Sequence, residues 1–170
     1  EIGIKTLKIA SQRLTDYTLL EAAARTLKPV IISTGMSSIQ DVREAVNVFK
    51  DNRKFLLQCT SCYPCKEEDI NLNVLRTYKE LFKVDGYGLS GHHAGIAPDL
   101  AAYVMGIDIL ERHYTLHRHW KGSDHAASLE LKGITNILKY IEQIRLAMGS
   151  YEKKVLECEK SAIKKLRGQN

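Results

Sequence analysis

Short apolar runs alternate along this chain with longer stretches in which apolar residues recur every three or four positions. The runs cover residues 6–10, 30–33, 55–59, 86–90 and 107–113. Each is short and bounded by polar residues, Gly or Pro. Val30-Ile31-Ile32 is continuously β-branched, the pattern of a strand buried on both faces of a parallel sheet. Between the runs lie helical patterns. Residues 15–27 carry Leu19, Leu20, Ala23 and Ala24, with Thr15 or Asp16 as cap and Lys28-Pro29 as stop. Ser37 or Ser38 caps a helix with Ile39, Val42, Ala45, Val46 and Phe49 at helical spacing. Residues 71–82 carry Leu72, Leu75, Tyr78, Leu81 and Phe82; Leu100, Ala101, Val104 and Met105 mark the next helix. A polar loop over residues 115–128 precedes a last helix, with Ile134, Ile137, Leu138, Ile141 and Ile144 in register.

Strand followed by helix, repeated through the chain, implies a parallel sheet with right-handed crossovers. An open doubly wound sheet and a (β/α)8 barrel both satisfy that pattern. No Gly-x-Gly-x-x-Gly follows any strand, which weakens a dinucleotide-binding fold. Polar residues collect at the C-terminal strand ends, where barrels keep their chemistry: Ser11, Thr34, Thr60, Ser61, Tyr63, Ser90, His92, Glu111 and His113. The expected architecture is therefore α/β, a (β/α)8 TIM barrel of which this chain holds about the last five units. Residues 1–148 are expected to form the partial barrel, and residues 149–170 a helical tail or the start of a linker.

Composition narrows the partners. The chain has 170 residues, and the net charge of +5 owes much to Lys153, Lys154, Lys160, Lys164, Lys165 and Arg167, with glutamates interleaved. That is a solvated helix face, and no nucleic-acid motif accompanies it. No apolar run approaches the ~20 residues of a membrane helix, and no signal-peptide pattern opens the chain. A reduced, cytoplasmic protein is the expectation. The chain opens at Glu1 rather than Met, so a piece of a longer product is also expected. Cys59, Cys62 and Cys65 fall at a three-residue spacing, but Tyr63-Pro64 interrupts the triplet, so a thiolate metal cluster is not expected.

All six histidines lie between His92 and His125. His92 and His113 each end a strand, on neighbouring strands. Two imidazoles with water and a substrate oxygen suit Mn²⁺ or a similar divalent ion; the alternative is a strand-end histidine satisfied by backbone. His93 points to the opposite face and reads as structural. Glu111 shares a side of its strand with His113, placed to orient it, to shuttle protons, or to pair with Lys8. Lys8 is the polar exception in Leu7-Lys8-Ile9, and a lysine inside a strand needs a partner or a task. With Ser11, Ser61 and Ser90 it suggests a phosphate or carboxylate cradle. A metal-dependent aldolase and a non-catalytic truncated barrel that binds a sugar or a partner fit these residues too.

The ordered motifs Lys8-Ile9-Ala10-Ser11, Pro29-Val30-Ile31-Ile32-Ser33-Thr34-Gly35-Met36, Cys59-Thr60-Ser61-Cys62-Tyr63-Pro64, Asp69-Ile70-Asn71-Leu72-Asn73, Leu89-Ser90-Gly91-His92, Glu111-Arg112-His113-Tyr114-Thr115-Leu116 and Gly122-Ser123-Asp124-His125-Ala126-Ala127-Ser128-Leu129-Glu130 resemble the sialic acid synthase family. The resemblance runs from about Lys8 to Ile144. It implies a metal-dependent enzyme condensing phosphoenolpyruvate with an N-acetylated hexosamine, such as N-acetylmannosamine, to a sialic-type nonulosonic acid and phosphate. It implies a barrel followed by a small antifreeze-like domain, and a homodimer for the full-length protein. It places the five units as strands four to eight. By resemblance, His92 and His113 hold Mn²⁺ or Mg²⁺, and Lys8, Ser11, Ser61 and Ser90 hold the phosphate. Tyr63 and Asp124 contact the amino sugar, and Glu111 transfers a proton. Arg13, Gly91 and His93 stand where the family commonly has an acid, an Asp and a Thr, and read as subfamily marks. Without the first three strands, the isolated chain is expected to show little or no synthase activity.

Overall fold

The computed structural model describes residues 3–168. Five strands, β1 (Leu7–Ile9), β2 (Val30–Ser33), β3 (Lys54–Cys59), β4 (Gly86–Gly91) and β5 (Ile109–Arg112), form one sheet in the order β1-β2-β3-β4-β5. Every neighbouring pair is parallel. The helices α1 (Tyr17–Ala24), α2 (Ile39–Val48), α3 (Val74–Leu81), α4 (Ala97–Val104) and α5 (Leu131–Met148) alternate with or follow the strands. Beyond Gly149 the chain is mostly irregular until a 3-10 turn leads into α6 (Lys160–Arg167). The result is a half-barrel with β1 and β5 as its two edges. Among the described residues no helix is long and apolar enough to cross a membrane.

Local chemistry explains the helix starts. The Asp16 carboxylate accepts from the Leu19 backbone N–H at 3.1 Å, so α1 starts at Tyr17. Ser38 and Asp41 make a reciprocal capping box at α2. The main core lies between sheet and helices, where Ile9, Leu14, Leu20, Val30, Ile32, Val42, Phe49, Leu56 and Phe82 pack together. A second cluster joins Cys65, Ile70, Leu75, Leu89 and Ala102.

Each helix face differs somewhere from the expectation: Ile39 on α2 and Leu81 on α3 are exposed, and the other three depart further. On α1, Leu20 and Ala23 are buried while Leu19 is exposed. On α4 the buried residues are Asp99 and Ala102, and Val104 is exposed, because the helix turns a carboxylate toward Arg112. On α5 only Ile137 is fully buried, and Leu138 and Leu146 are exposed. The physical reason is topological: α5 follows the edge strand, so no further sheet lies under its other faces. Strand β5 is also shorter than expected, Ile109–Arg112 in place of residues 107–113; Asp108 before it still donates its N–H to the Tyr87 carbonyl at 2.7 Å and accepts from the Tyr87 N–H at 2.9 Å.

Candidate active site

Register decides which side chains meet. Lys8 pairs with Ile31 and Ser33 with Leu57, while Cys59, Ser90 and Glu111 form one row across β3, β4 and β5. Alternation along each strand turns that row and Lys8 toward the concave side. There, at the C-terminal strand ends, lies a cavity of about 390 Å³ lined by Lys8, Ala10, Ser11, Gln12, Ser33, Met36, Ser61, Tyr63, Ser90, His92, Glu111 and His113. Every candidate site residue from the sequence lines it except Asp124. A larger depression of about 690 Å³, bordered by Glu67, Glu68 and residues 94–98, lies apart from these groups.

One half of the cavity is a chain of polar contacts. Lys8 Nζ donates to Ser33 Oγ at 2.9 Å and to the Ile9 carbonyl at 3.0 Å, and lies 3.6 Å from Glu111 Oε2. Ser90 Oγ donates to Glu111 Oε1 at 2.7 Å. Ser33, absent from the sequence-derived set, is therefore a member of the site. It lies two residues past Ile31, the register partner of Lys8, and so shares that face; this parity was the available signal. Beside it, the Gly35 N–H donates to Ser11 Oγ at 2.9 Å. A Cβ at Gly35 would land on Ser61 Oγ and stand 2.9 Å from Ser11 Oγ, so the close approach of backbone to these hydroxyls requires glycine. An ammonium and converging hydroxyls suit a small oxyanion.

The other half is aromatic. The His92 and His113 ring centroids are 5.1 Å apart, and the Tyr63 ring lies 4.3 Å from His92 and 5.9 Å from His113. The Tyr63–Pro64 peptide is cis. His92 Nδ1 stands 3.1 Å from the Thr60 carbonyl. A carbonyl only accepts, so Nδ1 carries the proton, and in the neutral ring Nε2 is left with the lone pair a metal-binding imidazole needs. Burial pushes the His92 imidazole down, but Cys59, the Thr60 carbonyl and Glu111 together leave it above its ordinary value. Burial raises the Cys59 thiol, yet contacts with His92, Ser11 and Ser90 bring it below the ordinary thiol range. Burial, reinforced by Cys59, raises the Tyr63 phenol.

Two imidazoles from neighbouring strand ends fit a divalent cation that draws its remaining ligands from water and substrate oxygens. No group of three His, Cys, Asp or Glu side chains comes together for a metal ion among the described residues. Asp124 stands outside the cavity lining, with Oδ2 3.8 Å from His113 Nδ1. That is ion-pair reach, too long for a hydrogen bond. His117 and His119 are exposed in the loop, and His93 is fully buried on the far side. Cys59 and Cys65 are buried free thiols; Cys62 and Cys158 are exposed ones.

Comparison with known proteins gives one consistent result. The NeuB family model matches residues 1–153. The human N-acetylneuraminate-9-phosphate synthase is 39% identical over 98% of this chain and 47% of its own length. The N,N'-diacetyllegionaminic acid synthase of Campylobacter jejuni is 37% identical over 96% of this chain and 50% of its own. The chain thus spans about half the length of these curated relatives. A crystal structure of an N-acetylneuraminic acid synthetase from Leptospira borgpetersenii superposes with a TM-score of 0.82 at 36% identity, covering 99% of this chain and 60% of the other.

Proposed function

The chain belongs to the NeuB family, and on that premise we propose that it carries the phosphoenolpyruvate- and metal-binding half of a nonulosonic acid synthase. The five units are then strands four to eight of a (β/α)8 barrel. The reaction joins the methylene carbon of phosphoenolpyruvate to the carbonyl carbon of an N-acetylated hexosamine while water adds at the phosphate-bearing enol carbon, whose bond to the phosphate oxygen then breaks, giving a nine-carbon sialic-type acid and inorganic phosphate. The observation that supports this most is the convergence of Lys8, Ser11, Ser33, Ser90, His92, Glu111 and His113 on one cavity at the strand ends.

In this reading the phosphate sits against Lys8 Nζ and the hydroxyls of Ser11, Ser33, Ser61 and Ser90, its charge partly offset by one cation and its oxygens fixed by short-reach donors. Binding orients the methylene carbon of phosphoenolpyruvate toward the sugar's carbonyl carbon, which is the larger part of what a site can give a bond-forming step. Tyr63 and Asp124 line the approach of the amino sugar. His92 and His113 hold a divalent cation, Mn²⁺ or Mg²⁺, which when bound supplies Lewis-acid polarisation of the sugar carbonyl. As the carbon–carbon bond forms, the former carbonyl oxygen needs a proton, and the Glu111 carboxylate, held by Ser90 and Lys8, is the group placed to take one from the water that adds at the enol carbon and pass it on.

The test is a paired assay of this chain. ³¹P NMR follows phosphoenolpyruvate binding, and a phosphate-release assay with N-acetylmannosamine follows turnover. Binding that depends on Lys8 and Ser90, with little or no turnover, is the expected result. A folded chain that does not bind phosphoenolpyruvate defeats the reading of the cavity. Repeated turnover by the chain alone defeats its assignment as a half-site.

A further inference from the structure

We propose that Arg112, His93 and Asp99 form a buried clamp that holds the two histidine-bearing strand ends in register, which makes them positioning residues for the His92–His113 pair. The metal role of that pair rests on the reading above; the clamp itself rests on geometry alone.

The ladder between β4 and β5 ends at the pair Gly91↔Arg112. His92 and His113 are each the next residue, beyond the last rung. Each is fixed on its outer side: the Cys65 N–H donates to the His92 carbonyl at 2.9 Å, and the Leu129 N–H to the His113 carbonyl at 2.8 Å. Neither bond relates one histidine to the other. Ser90 Oγ ties β4 to Glu111 before the strands end, and the Tyr63 ring packs against both imidazoles; beyond the last rung, the hydrogen bonds between the two segments run from Arg112, next to His113, to His93, next to His92.

Arg112 lies between Glu111 and His113, both of which face the cavity, so alternation turns it to the opposite side. It does not line the cavity, and its side chain is only 5% exposed. Its Nη2 donates to the His93 carbonyl at 2.6 Å. Its Nη1 contacts His93 Nε2 at 3.0 Å and the Gly95 carbonyl at 3.2 Å, and donates to the Asp99 carboxylate. One guanidinium on β5 thus grips the segment that follows β4 and the first turn of α4. A planar fork with several fixed donors suits that task, and lysine does not supply it.

Gly91 belongs to the same device. A Cβ there would stand 2.8 Å from His93 Cε1 and 3.0 Å from Arg112 Cδ. Glycine at the last rung leaves the space that the His93 ring occupies, and the ring in turn meets Arg112 and, at 3.4 Å, Asp99. His93 and Asp99 are fully buried. A buried ion pair is a weak source of stability compared with apolar packing of similar volume, and its better-attested return is a fixed register.

The same comparison supplies the experiment. In Arg112→Met/Asp99→Leu both charges are replaced by apolar groups. Two readouts follow: the NOE between the ring protons of His92 and His113 in the metal-free chain, and the Mn²⁺ dissociation constant. A clamp predicts a variant that still melts cooperatively, loses most of the inter-ring NOE and binds Mn²⁺ at least about tenfold more weakly, as loss of an orienting partner does. A cooperatively melting variant with wild-type NOE intensity overturns the proposal, because the cluster would then only fill space. If the double variant does not fold, Arg112→Lys decides by the same NOE: reduced intensity supports the clamp and unchanged intensity overturns it. If the wild-type chain shows the NOE but binds no Mn²⁺, the metal reading falls, and the NOE comparison still decides the clamp.

Discussion

Replacing Lys8 by methionine separates two tasks that its position combines. The ammonium donates to Ser33 at 2.9 Å and to the Ile9 carbonyl at 3.0 Å, and faces Glu111 at 3.6 Å. The side chains of Lys8 and Glu111 are 34% and 39% exposed, so solvent screens the pair. Its contribution to stability is then about 0–1 kcal/mol. For a chain of this size the melting temperature of Lys8→Met should fall by no more than about 4 °C. Binding is a different matter. A hydrogen bond to a charged partner contributes about 1.5–3 kcal/mol. At about 1.4 kcal/mol per factor of ten, phosphoenolpyruvate affinity should drop by about 10- to 150-fold. Isothermal titration of the variant with phosphoenolpyruvate, alongside a thermal melt followed by circular dichroism, measures both. A folded variant that binds within about twofold of wild type removes Lys8 from the phosphate site. A melting loss well beyond the predicted few degrees instead makes Lys8 a structural residue whose partner cannot be left alone.

Three further outcomes follow from the same geometry. Gly35→Ala puts a methyl on Ser61 Oγ and within 3.0 Å of Cys59 Sγ; it should weaken phosphoenolpyruvate binding in ³¹P NMR titrations while the urea transition keeps its cooperativity. Leu56→Ala empties a fully buried position in the sheet–helix core and should cost about 2–5 kcal/mol, read as a lower urea midpoint at unchanged slope. The Ser38 hydroxyl and backbone N–H hold the Asp41 carboxyl below its ordinary range. A depressed folded value means that its contribution is present above the unfolded pKa of about 3.9 and is lost as pH falls through the folded value. The stability gap between wild type and Asp41→Asn, from urea midpoints at several pH values, should therefore narrow on acidification below about pH 4.

Strand positions were legible because a parallel strand buried on both faces must be continuously apolar, as Val30-Ile31-Ile32 is. The lining of the cavity was legible because Lys8, Glu111 and the strand-end histidines interrupt that rule where packing alone gives no reason to. Ser33 was harder to see, since a serine at the end of an apolar run looks like the strand's boundary until register places it beside Lys8. The buried face of α4 was hidden for the opposite reason. Asp99 reads as a surface residue, and only the tertiary approach of Arg112 makes its burial possible. The apolar residues of α5 have the spacing of a packed helix, yet Leu138 is exposed and Ile134, Ile141 and Ile144 are only half-buried, because helical periodicity records which face is apolar and not whether a neighbour covers it. Asp124 belongs to the matching motif, yet its carboxylate lies beside His113 rather than in the cavity lining, a distinction that loop sequence does not carry.

The most direct measurement is a calorimetric titration of this chain with Mn²⁺, alone and with phosphoenolpyruvate present, repeated on His92→Ala. An assembled half-site predicts Mn²⁺ binding that tightens when phosphoenolpyruvate occupies the cavity and disappears in the variant. A folded wild-type chain that binds Mn²⁺ under neither condition, or a His92→Ala chain that binds it as tightly as wild type, contradicts the assignment of His92 and His113 as the metal-holding pair.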